Sequence, residues 1–211
     1  MRKRDRSLRL VVLISGTGRT LENLFVQSER HELDVVIPLV IASKASAAGL
    51  RHARERGVPT AVVTRSAFLD AASFSAALAD HILEAKPDLV LLAGFVHLFL
   101  IPHALAGKVM NIHPALLPSF GGPGLYGMRV HEAVHRAGVK ITGCTVHFAD
   151  DHYDHGPIIV QRAVAIDDQD TPDTIAHKVF EQELLAYPEA VRLFAQDRLR
   201  IEGGRVRVLP P

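Results

Sequence analysis

The first half of the sequence alternates short, β-rich apolar runs with longer segments of helical pattern, and this alternation constrains the fold more than any other feature. Several of the runs are almost continuously apolar, which is typical of strands covered by helices on both faces. Because strands that alternate with helices pair in parallel, the pattern predicts an α/β fold with a doubly wound, mostly parallel sheet and helices on both faces. The predicted strands are Leu8–Ile14, Val35–Ala42, Thr60–Val63, Leu89–Leu92 and Val109–Ile112, and the predicted helices between them are Leu21–Arg30, Ala47–Arg56 and Phe74–Lys86.

The second half has a different pattern. The segment Leu117–Gly127 is rich in glycine and proline and predicts a loop. The elements predicted after it are the helix Val130–Ala137, the strands Thr142–Phe148 and Ile158–Ile166, the long helix Thr174–Phe194 and a terminal hairpin around Gly203 and Gly204. We find no internal repeat or linker, so the 211 residues predict a single domain.

Composition narrows the functional class. Hydrophobic residues make up 48% of the chain, and 24 Lys and Arg nearly balance 23 Asp and Glu. This balance argues against a dedicated nucleic-acid binder, which usually carries a basic excess. No stretch approaches the ~20 apolar residues that cross a bilayer, and the basic segment Met1–Arg6 is expected to be a solvated tail. The single cysteine, Cys144, lies in an apolar strand and is expected in the core. A cytoplasmic protein with neither membrane nor nucleic-acid partners fits these features.

The first candidate site is the glycine turn Ser15–Thr20, which follows the first predicted strand and opens a helix. Glycines let the backbone approach an anion, and a helix N-terminus offers free N–H groups and a favourable dipole. Arg19 could add a charge-assisted contact. A turn that only connects strand to helix remains the alternative. The turn is no dinucleotide fingerprint, because Leu21 stands where a third glycine is expected.

The second candidate is the pair Asn111 and His113 at the end of the fifth predicted strand. Residues two apart on a strand point to the same side, so both side chains can face one pocket while Ile112 packs into the core. An amide donor can hold a developing oxyanion, and an imidazole can move a proton near neutral pH. On spacing alone, ordinary capping of the strand end explains the pair equally well.

The third candidate is the polar loop Asp150–Pro157 between two predicted strands. Its carboxylates could orient His113 or favour its protonated form. His152 and His155 raise the question of a metal ion, but the sequence has no compact ligand spacing, so no metal is expected and a solvated turn is the alternative. Most of the other histidines are expected on the surface; they are His31, His52, His81, His103, His131, His135 and His177.

Taken together, these segments resemble the folate-dependent formyltransferases. The similarity runs from Val11 to about Phe194 and rests on motifs that occur in order along the chain: Val11–Gly16, Ser43–Leu50, Leu92–Phe95, Asn111–Pro118, and Gly143–Phe148 followed by Asp154–Pro157. The last two are specific to this family and its hydrolytic relatives. The resemblance implies the formyltransferase fold, with a Rossmann-like, nucleotide-binding half over residues 1–110 and a catalytic, folate-binding half over residues 111–211.

Within the family, the chain is most similar to the enzymes that formylate glycinamide ribonucleotide. The resemblance implies transfer of a formyl group from the co-substrate 10-formyltetrahydrofolate to the amine of that ribonucleotide, in de novo purine biosynthesis and without a metal. It implies that Asn111 stabilises the tetrahedral intermediate and that His113 transfers a proton. Asp154 would pair with His113 and help to accept the proton of the amine through water.

The resemblance also implies the ligand contacts. Substrate contacts are expected from Gly18, Arg19, Thr20, Leu21, Glu22 and Glu183, with the phosphate on the glycine loop and the ribose near Glu183. Folate contacts are expected from Val96, His97, Leu98, Phe99, Asn111, Asp150, Asp151 and Asp154. The chain departs from the family pattern at Arg19, Thr20, His97 and Ala71 and in the longer loop Phe120–Gly127, which leaves the side-chain roles there open. The implied partners are small molecules, and a monomer or homodimer is expected.

Two other functions remain open. One is formyltetrahydrofolate deformylase, which shares the catalytic pattern but carries an N-terminal regulatory domain. The other is a non-catalytic nucleotide-binding module that uses the loop Gly16–Thr20. Methionyl-tRNA formyltransferase is disfavoured, because it carries a further C-terminal domain that helps to hold tRNA and this chain has no basic excess.

Overall fold

The computed structural model describes residues 6–211. The chain has an α/β fold with a seven-stranded sheet and a separate two-stranded sheet. It divides into two compact units, one ending at Met110 and the other spanning Asn111–Pro211. The predicted N-terminal tail lies outside the described residues except for Arg6, which forms an ion pair with Asp88 at 2.7 Å. The assignment of nucleotide binding and catalysis to the two halves stays a prediction.

The first unit contains four parallel strands in the order β3-β2-β1-β4. They are β1 (Leu8–Ile14), β2 (Val35–Ala42), β3 (Thr60–Val62) and β4 (Leu89–Leu92). All side chains of β4 are buried, and so are all those of β1 except the half-buried Arg9. Because successive side chains point to opposite faces, both faces of these strands are covered.

The helices of the first unit are α1 (Arg19–Glu29), α2 (Leu50–Arg54) and α3 (Ala71–Glu84), with short 3-10 turns at Arg65–Ala67 and His103–Leu105. Asp70 caps α3, since its carboxylate accepts the Ser73 N–H at 2.7 Å. The second helix is shorter than the predicted span Ala47–Arg56. The N–H groups of Ala47, Leu50 and His52 bond to the carbonyls three residues back, which is the tighter pattern of turns.

One strand, β5 (Val109–His113), crosses the boundary between the units. The remaining elements are α4 (Met128–Ala137), β6 (Ile141–Phe148), β7 (Ile158–Ala165), α5 (Pro172–Ala195), β8 (Leu199–Glu202) and β9 (Arg205–Val208). β6 and β7 pair antiparallel, so the main sheet is mostly rather than wholly parallel. α5 packs against β6, β7 and α4.

The sequence-based fold prediction is confirmed. Each predicted strand and helix is present with bounds that shift by a few residues, and the terminal hairpin is β8–β9. The α/β class and the mostly parallel sheet are as expected. Over residues 6–211, none of the helices combines the length and the apolar character needed to cross a membrane.

Candidate active site

Asn111, His113 and Asp154 meet at one carboxylate oxygen in the second unit. Asn111 Nδ2 donates to Asp154 Oδ1 at 3.2 Å, and His113 Nδ1 lies 3.3 Å from the same oxygen. The side chains of His113 and Asp154 are only 4% and 9% exposed. The two strand residues therefore share one side of β5, as their spacing predicts, and both are tied to a carboxylate that is 43 residues beyond Asn111. The catalytic roles of the three stay predictions.

Both ring nitrogens of His113 face acceptors. Nε2 lies 2.8 Å from the carbonyl oxygen of Phe120, and Nδ1 faces Asp154. A carbonyl and an ionised carboxylate can only accept, so the doubly protonated ring satisfies both and a neutral ring satisfies one. The site is therefore built to hold a proton donor at this position.

Asp154 is held as a carboxylate. Burial raises the pKa of Asp154. The hydrogen bond and charge of His113 and the N–H of Gly122 together lower it by more, so the pKa of Asp154 lies below its usual value. The Gly122 N–H donates to Asp154 Oδ2 at 2.9 Å. Asp154 has a left-handed backbone (φ 53°), which directs the side chain toward these partners. Gly121 lies so close that a β-carbon there would stand 3.2 Å from Asp154 Cβ.

His147 is a neighbour of the site that the sequence argument did not identify. Its Nδ1 lies 2.9 Å from the carbonyl oxygen of Phe148, which fixes the proton on Nδ1. Nε2 then accepts from Asn111 Nδ2 at 3.1 Å. Burial lowers the pKa of His147 and keeps the ring neutral. Both N–H bonds of the Asn111 amide are thus used, one by His147 and one by Asp154. The motif Gly143–Phe148 contributes to the family resemblance, but the sequence does not single out His147 within it.

Most of the remaining histidines are exposed, as expected, and His131 is the buried exception. It lies on α4 and is 6% exposed. Burial, followed by the charge of nearby His113, lowers the pKa of His131 to about 4. Among the described residues, its Nδ1 is one of three buried side-chain atoms without a hydrogen-bond partner. A neutral imidazole therefore lies beside the candidate proton donor.

The glycine turn lies in the first unit and opens α1 directly. Gly18 occupies the N-cap position with φ 73° and offers no capping side chain, and a helix N-terminus is a favourable place for an anion. Thr20 and Leu21 are buried, so they can contribute to a ligand mainly through the backbone. A β-carbon on Gly18 would stand 2.5 Å from the α-carbon of Gly49, which shows how closely the turn packs against the start of α2.

Glu22, a predicted substrate contact, already has strong partners. Both guanidinium NH groups of Arg56 donate to its carboxylate at 3.0 Å, and His52 Nδ1 lies 2.9 Å from it. Arg56 also bonds Glu29 at 2.6 Å. This network ties α1 to the residues around α2. Glu22 thereby holds the helix behind the glycine turn in place.

The predicted folate residues are divided between the units. In the first, Val96–Leu98 are half-buried, Phe99 is buried, and the Val96 N–H donates to Ser15 Oγ at 3.2 Å. Burial and then the charge of Arg65 lower the pKa of His97. In the second, Asp150 is half-buried and Asp151 exposed.

Glu183 lies on α5 near the thiol of Cys144. This thiol is buried, which confirms the expectation that the cysteine belongs to the core. Burial, followed by the charge of Glu183, raises the pKa of Cys144 to about 12. The thiol is therefore protonated and unreactive near neutral pH.

The loop after β6 brings together residues that follow no common ligand spacing along the sequence. Asp150, His152 and His155 bring one ligand atom each within 4.8 Å of one another. The expectation that the loop binds no metal stays a prediction.

Comparison with known proteins places these features in a family. The profile of the family described as "Formyl transferase" matches residues 8–191. The chain is 39% identical over 201 residues to the trifunctional purine biosynthetic protein adenosine-3 of Bos taurus, covering 94% of this chain but about a fifth (19%) of that protein. It is 32% identical over 198 residues to the phosphoribosylglycinamide formyltransferase of Haemophilus influenzae, covering 93% of this chain and 91% of that protein.

A solved structure agrees. The crystal structure of glycinamide ribonucleotide transformylase 1 from Symbiobacterium toebii matches with a TM-score of 0.89 and 37% sequence identity, over 98% of this chain and 96% of that one. The agreement in sequence and in backbone extends over both units of the chain.

Proposed function

Since this chain belongs to the formyl transferase family, we propose that it transfers the formyl group of 10-formyltetrahydrofolate to the amine of phosphoribosylglycinamide. The products are formylglycinamide ribonucleotide and tetrahydrofolate, in de novo purine biosynthesis. The observation that carries the proposal is the single oxygen of Asp154 that lies within 3.3 Å of both the Asn111 amide and the His113 ring. The likeness to enzymes named for this reaction supports the choice of acceptor.

The reaction needs an oxyanion site and a proton relay but no covalent enzyme intermediate. The amine nitrogen attacks the formyl carbon, and negative charge develops on the formyl oxygen. The intermediate collapses by breaking the bond to N10 of the folate, which gains a proton while the attacking amine loses one. Donors placed in advance around such an oxygen typically contribute ~10²–10³ each in turnover.

Asn111 and His113 would supply those donors. The Asn111 N–H groups bond to Asp154 and His147, and His113 Nε2 bonds to the carbonyl oxygen of Phe120. Each side chain must exchange one of these hydrogen bonds to donate to the formyl oxygen. Asp154, held ionised, would keep His113 protonated through Nδ1 and accept the proton of the amine through a water molecule.

The glycine turn would hold the phosphate of the ribonucleotide. Backbone N–H groups of Gly18, Arg19, Thr20 and Leu21 open α1 without a capping side chain, which suits a dianion at a helix N-terminus. Glu22 would act through its ion pair with Arg56 rather than by contacting the ligand. Glu183 would bind the ribose.

In the first unit the proposed folate contacts are Val96, His97, Leu98 and Phe99; in the second they are Asp150, Asp151 and Asp154. Apolar side chains and backbone groups suit a flat heterocycle. Metal is not needed for the formyl transfer itself.

We also infer that the protein works in the cytoplasm, as a monomer or homodimer, on small molecules rather than nucleic acid. The near balance of 24 basic and 23 acidic residues and the single buried cysteine support this inference.

The deciding experiment uses purified protein and 10-formyltetrahydrofolate with and without glycinamide ribonucleotide. Tetrahydrofolate formation is followed by absorbance and the formylated ribonucleotide by mass spectrometry. We expect product only when the ribonucleotide is present. Release of formate without the amine would instead identify a deformylase, and no turnover with any acceptor would favour the nucleotide-binding module.

A further inference from the structure

We propose that Asp150, His152 and His155 form a binding site for a divalent transition-metal ion such as Zn²⁺. The three residues belong to the loop between β6 and β7. Their ligand atoms all lie within 4.8 Å of one another. The proposal is independent of the proposed function, because metal binding can be measured without folate or nucleotide.

The distances fit one ion with small adjustments. Tetrahedral Zn²⁺ with ligands at ~2.0–2.2 Å places neighbouring donor atoms ~3.3 Å apart. Asp150 Oδ2 lies 2.7 Å from His155 Nδ1, and Asp150 Oδ1 lies 3.9 Å from His152 Nδ1. These distances go to different oxygens of the carboxylate, and one is shorter and the other longer than the ideal by about half an ångström; the three ligand atoms lie within 4.8 Å of one another. Small rotations of the side chains would therefore place all three donors around a single ion.

The chemistry of the donors selects the class of ion. Two imidazoles and one carboxylate are a common set for Zn²⁺ and related ions, which prefer nitrogen, whereas Mg²⁺ and Ca²⁺ prefer oxygen alone. The rings of His152 and His155 have centroids 5.4 Å apart and an interplanar angle of 60°, so their edges can face a shared ion. Both histidine side chains are more than 70% exposed, which leaves them accessible to an ion and leaves a fourth position for water.

The loop's own hydrogen bonds hold the carboxylate in place. The His152 N–H donates to Asp150 Oδ1 at 2.9 Å, which fixes the turn at the start of the cluster. Hydrogen bonds therefore explain why Asp150 is held in this position. The feature that favours a metal site is the second imidazole, that of His152, next to a carboxylate already held by His155.

An ion here would act on the loop that carries Asp154. The proposed ligands flank Asp154 in sequence, with His152 before it and His155 directly after it. Joining three points of this short loop removes conformational freedom from the segment between them. Ion binding should therefore stabilise the loop conformation in which Asp154 contacts His113.

The test is a titration of the metal-free full chain with ZnCl₂ by isothermal calorimetry, repeated in competition with a chromophoric chelator. We expect one ion per chain for the unaltered protein. His152→Ala and His155→Ala should each weaken the affinity by more than about 10-fold, since each removes a ligand. His103→Ala is the matched control, because it removes an exposed histidine from the other unit, and it should bind like the unaltered chain.

Three outcomes would overturn the proposal. They are no saturable Zn²⁺ binding to the unaltered chain, binding that survives both loop substitutions, and equal losses in His103→Ala. Far-ultraviolet circular dichroism of each variant shows whether the fold is retained. If a loop variant fails to fold, Co²⁺ added to the unaltered chain decides the matter: tetrahedral visible absorption supports the site, and the spectrum of the hydrated ion refutes it.

Discussion

Asp154 Oδ1 is the atom on which the candidate active site depends, because it meets Asn111 Nδ2 at 3.2 Å and His113 Nδ1 at 3.3 Å. Replacing this carboxylate by an amide keeps its size but removes the negative charge that pairs with His113. We expect Asp154→Asn to lower kcat by ~10²–10⁴, the usual range for loss of a positioned acid or base. Steady-state formyl transfer with both substrates saturating measures the effect.

Asp168→Asn is the control for that substitution. Asp168 is an exposed carboxylate whose ion-pair partner is Lys140, and exposed pairs contribute little. This variant should keep its kcat. If Asp154→Asn also turned over at the normal rate, Asp154 would not be part of the proton relay.

His131 should make stability depend on pH. Its pKa is about 4 in the folded chain, against 6.5 for the free side chain. The unfolded chain therefore binds more protons between these values, so the stabilising contribution is complete above pH 6.5 and is lost as pH falls toward 4. Between about pH 7.5 and about pH 5 the free energy of unfolding should fall by about 2 kcal/mol on account of this group.

Urea unfolding of the wild type and of His131→Gln at both pH values tests the point. Burial also lowers the pKa of His147, so only the difference between the two proteins is informative. The variant should lose less stability than the wild type over this interval. Identical losses would mean that His131 can be protonated freely in the folded chain.

The sequence predicted some of these residues and missed others for a clear physical reason. Asn111 and His113 share a side of β5 because of the two-residue period of a strand, which is a local property. Asp154 reaches them from 43 residues away; the residues alone suggested only that some carboxylate of this loop could orient His113, and the resemblance singled out Asp154. His147 and the buried His131 were missed because their environment is made by elements distant in sequence.

At the scale of elements, the start of α1 depends on the absence of a side chain at Gly18. This residue has φ 73°, and an added β-carbon would lie 2.5 Å from the backbone of Gly49, which cannot rotate away. Gly18→Ala should cost ~1–3 kcal/mol from backbone strain and displace the N–H groups that open the helix. We expect calorimetry to show a larger loss of affinity for glycinamide ribonucleotide than for a folate analogue.

Gly16→Ala offers a contrast in the same turn. A β-carbon at Gly16 meets no atom within 4 Å, and its φ is not positive. Chemical denaturation should therefore give nearly the wild-type stability. If Gly18→Ala lost affinity for both ligands equally, the substitution would have caused general misfolding instead of a local defect in the turn.

Element boundaries were predictable where the stop signal is local. Gly57 and Pro87 directly follow the predicted helix ends Arg56 and Lys86, and the helices end a few residues before them. The predicted start of α2 was wrong, because Ala47–Gly49 form successive turns rather than α-helix. Gly49 also packs against Gly18, so a contact with α1 decides the local conformation there.

At the scale of the whole molecule, the alternation of strands and helices was enough to predict a mostly parallel sheet. The antiparallel pair β6–β7 follows from a different constraint. The connection between Phe148 and Ile158 is too short for the crossover helix that parallel neighbours need. The same short connection carries Asp154 and the proposed metal ligands, whose grouping depends on the folded loop and is not visible in their sequence spacing.

Binding of two different small molecules is the property of the whole chain that best separates the candidate functions. A ligand at about 100 times its Kd stabilises a folded protein by about 2.7 kcal/mol, which for a chain of this length raises Tm by roughly 5–10 °C. We expect such a shift with glycinamide ribonucleotide and, separately, with a folate analogue that lacks the transferable formyl group. His113→Ala should keep the shift with the ribonucleotide while losing turnover, because the proposed phosphate site lies on α1. Differential scanning calorimetry measures the three Tm shifts: two for the unaltered chain and one for His113→Ala. A shift with the folate alone would contradict the proposed acceptor and favour water as the acceptor, and a shift with the ribonucleotide alone would leave a nucleotide-binding module.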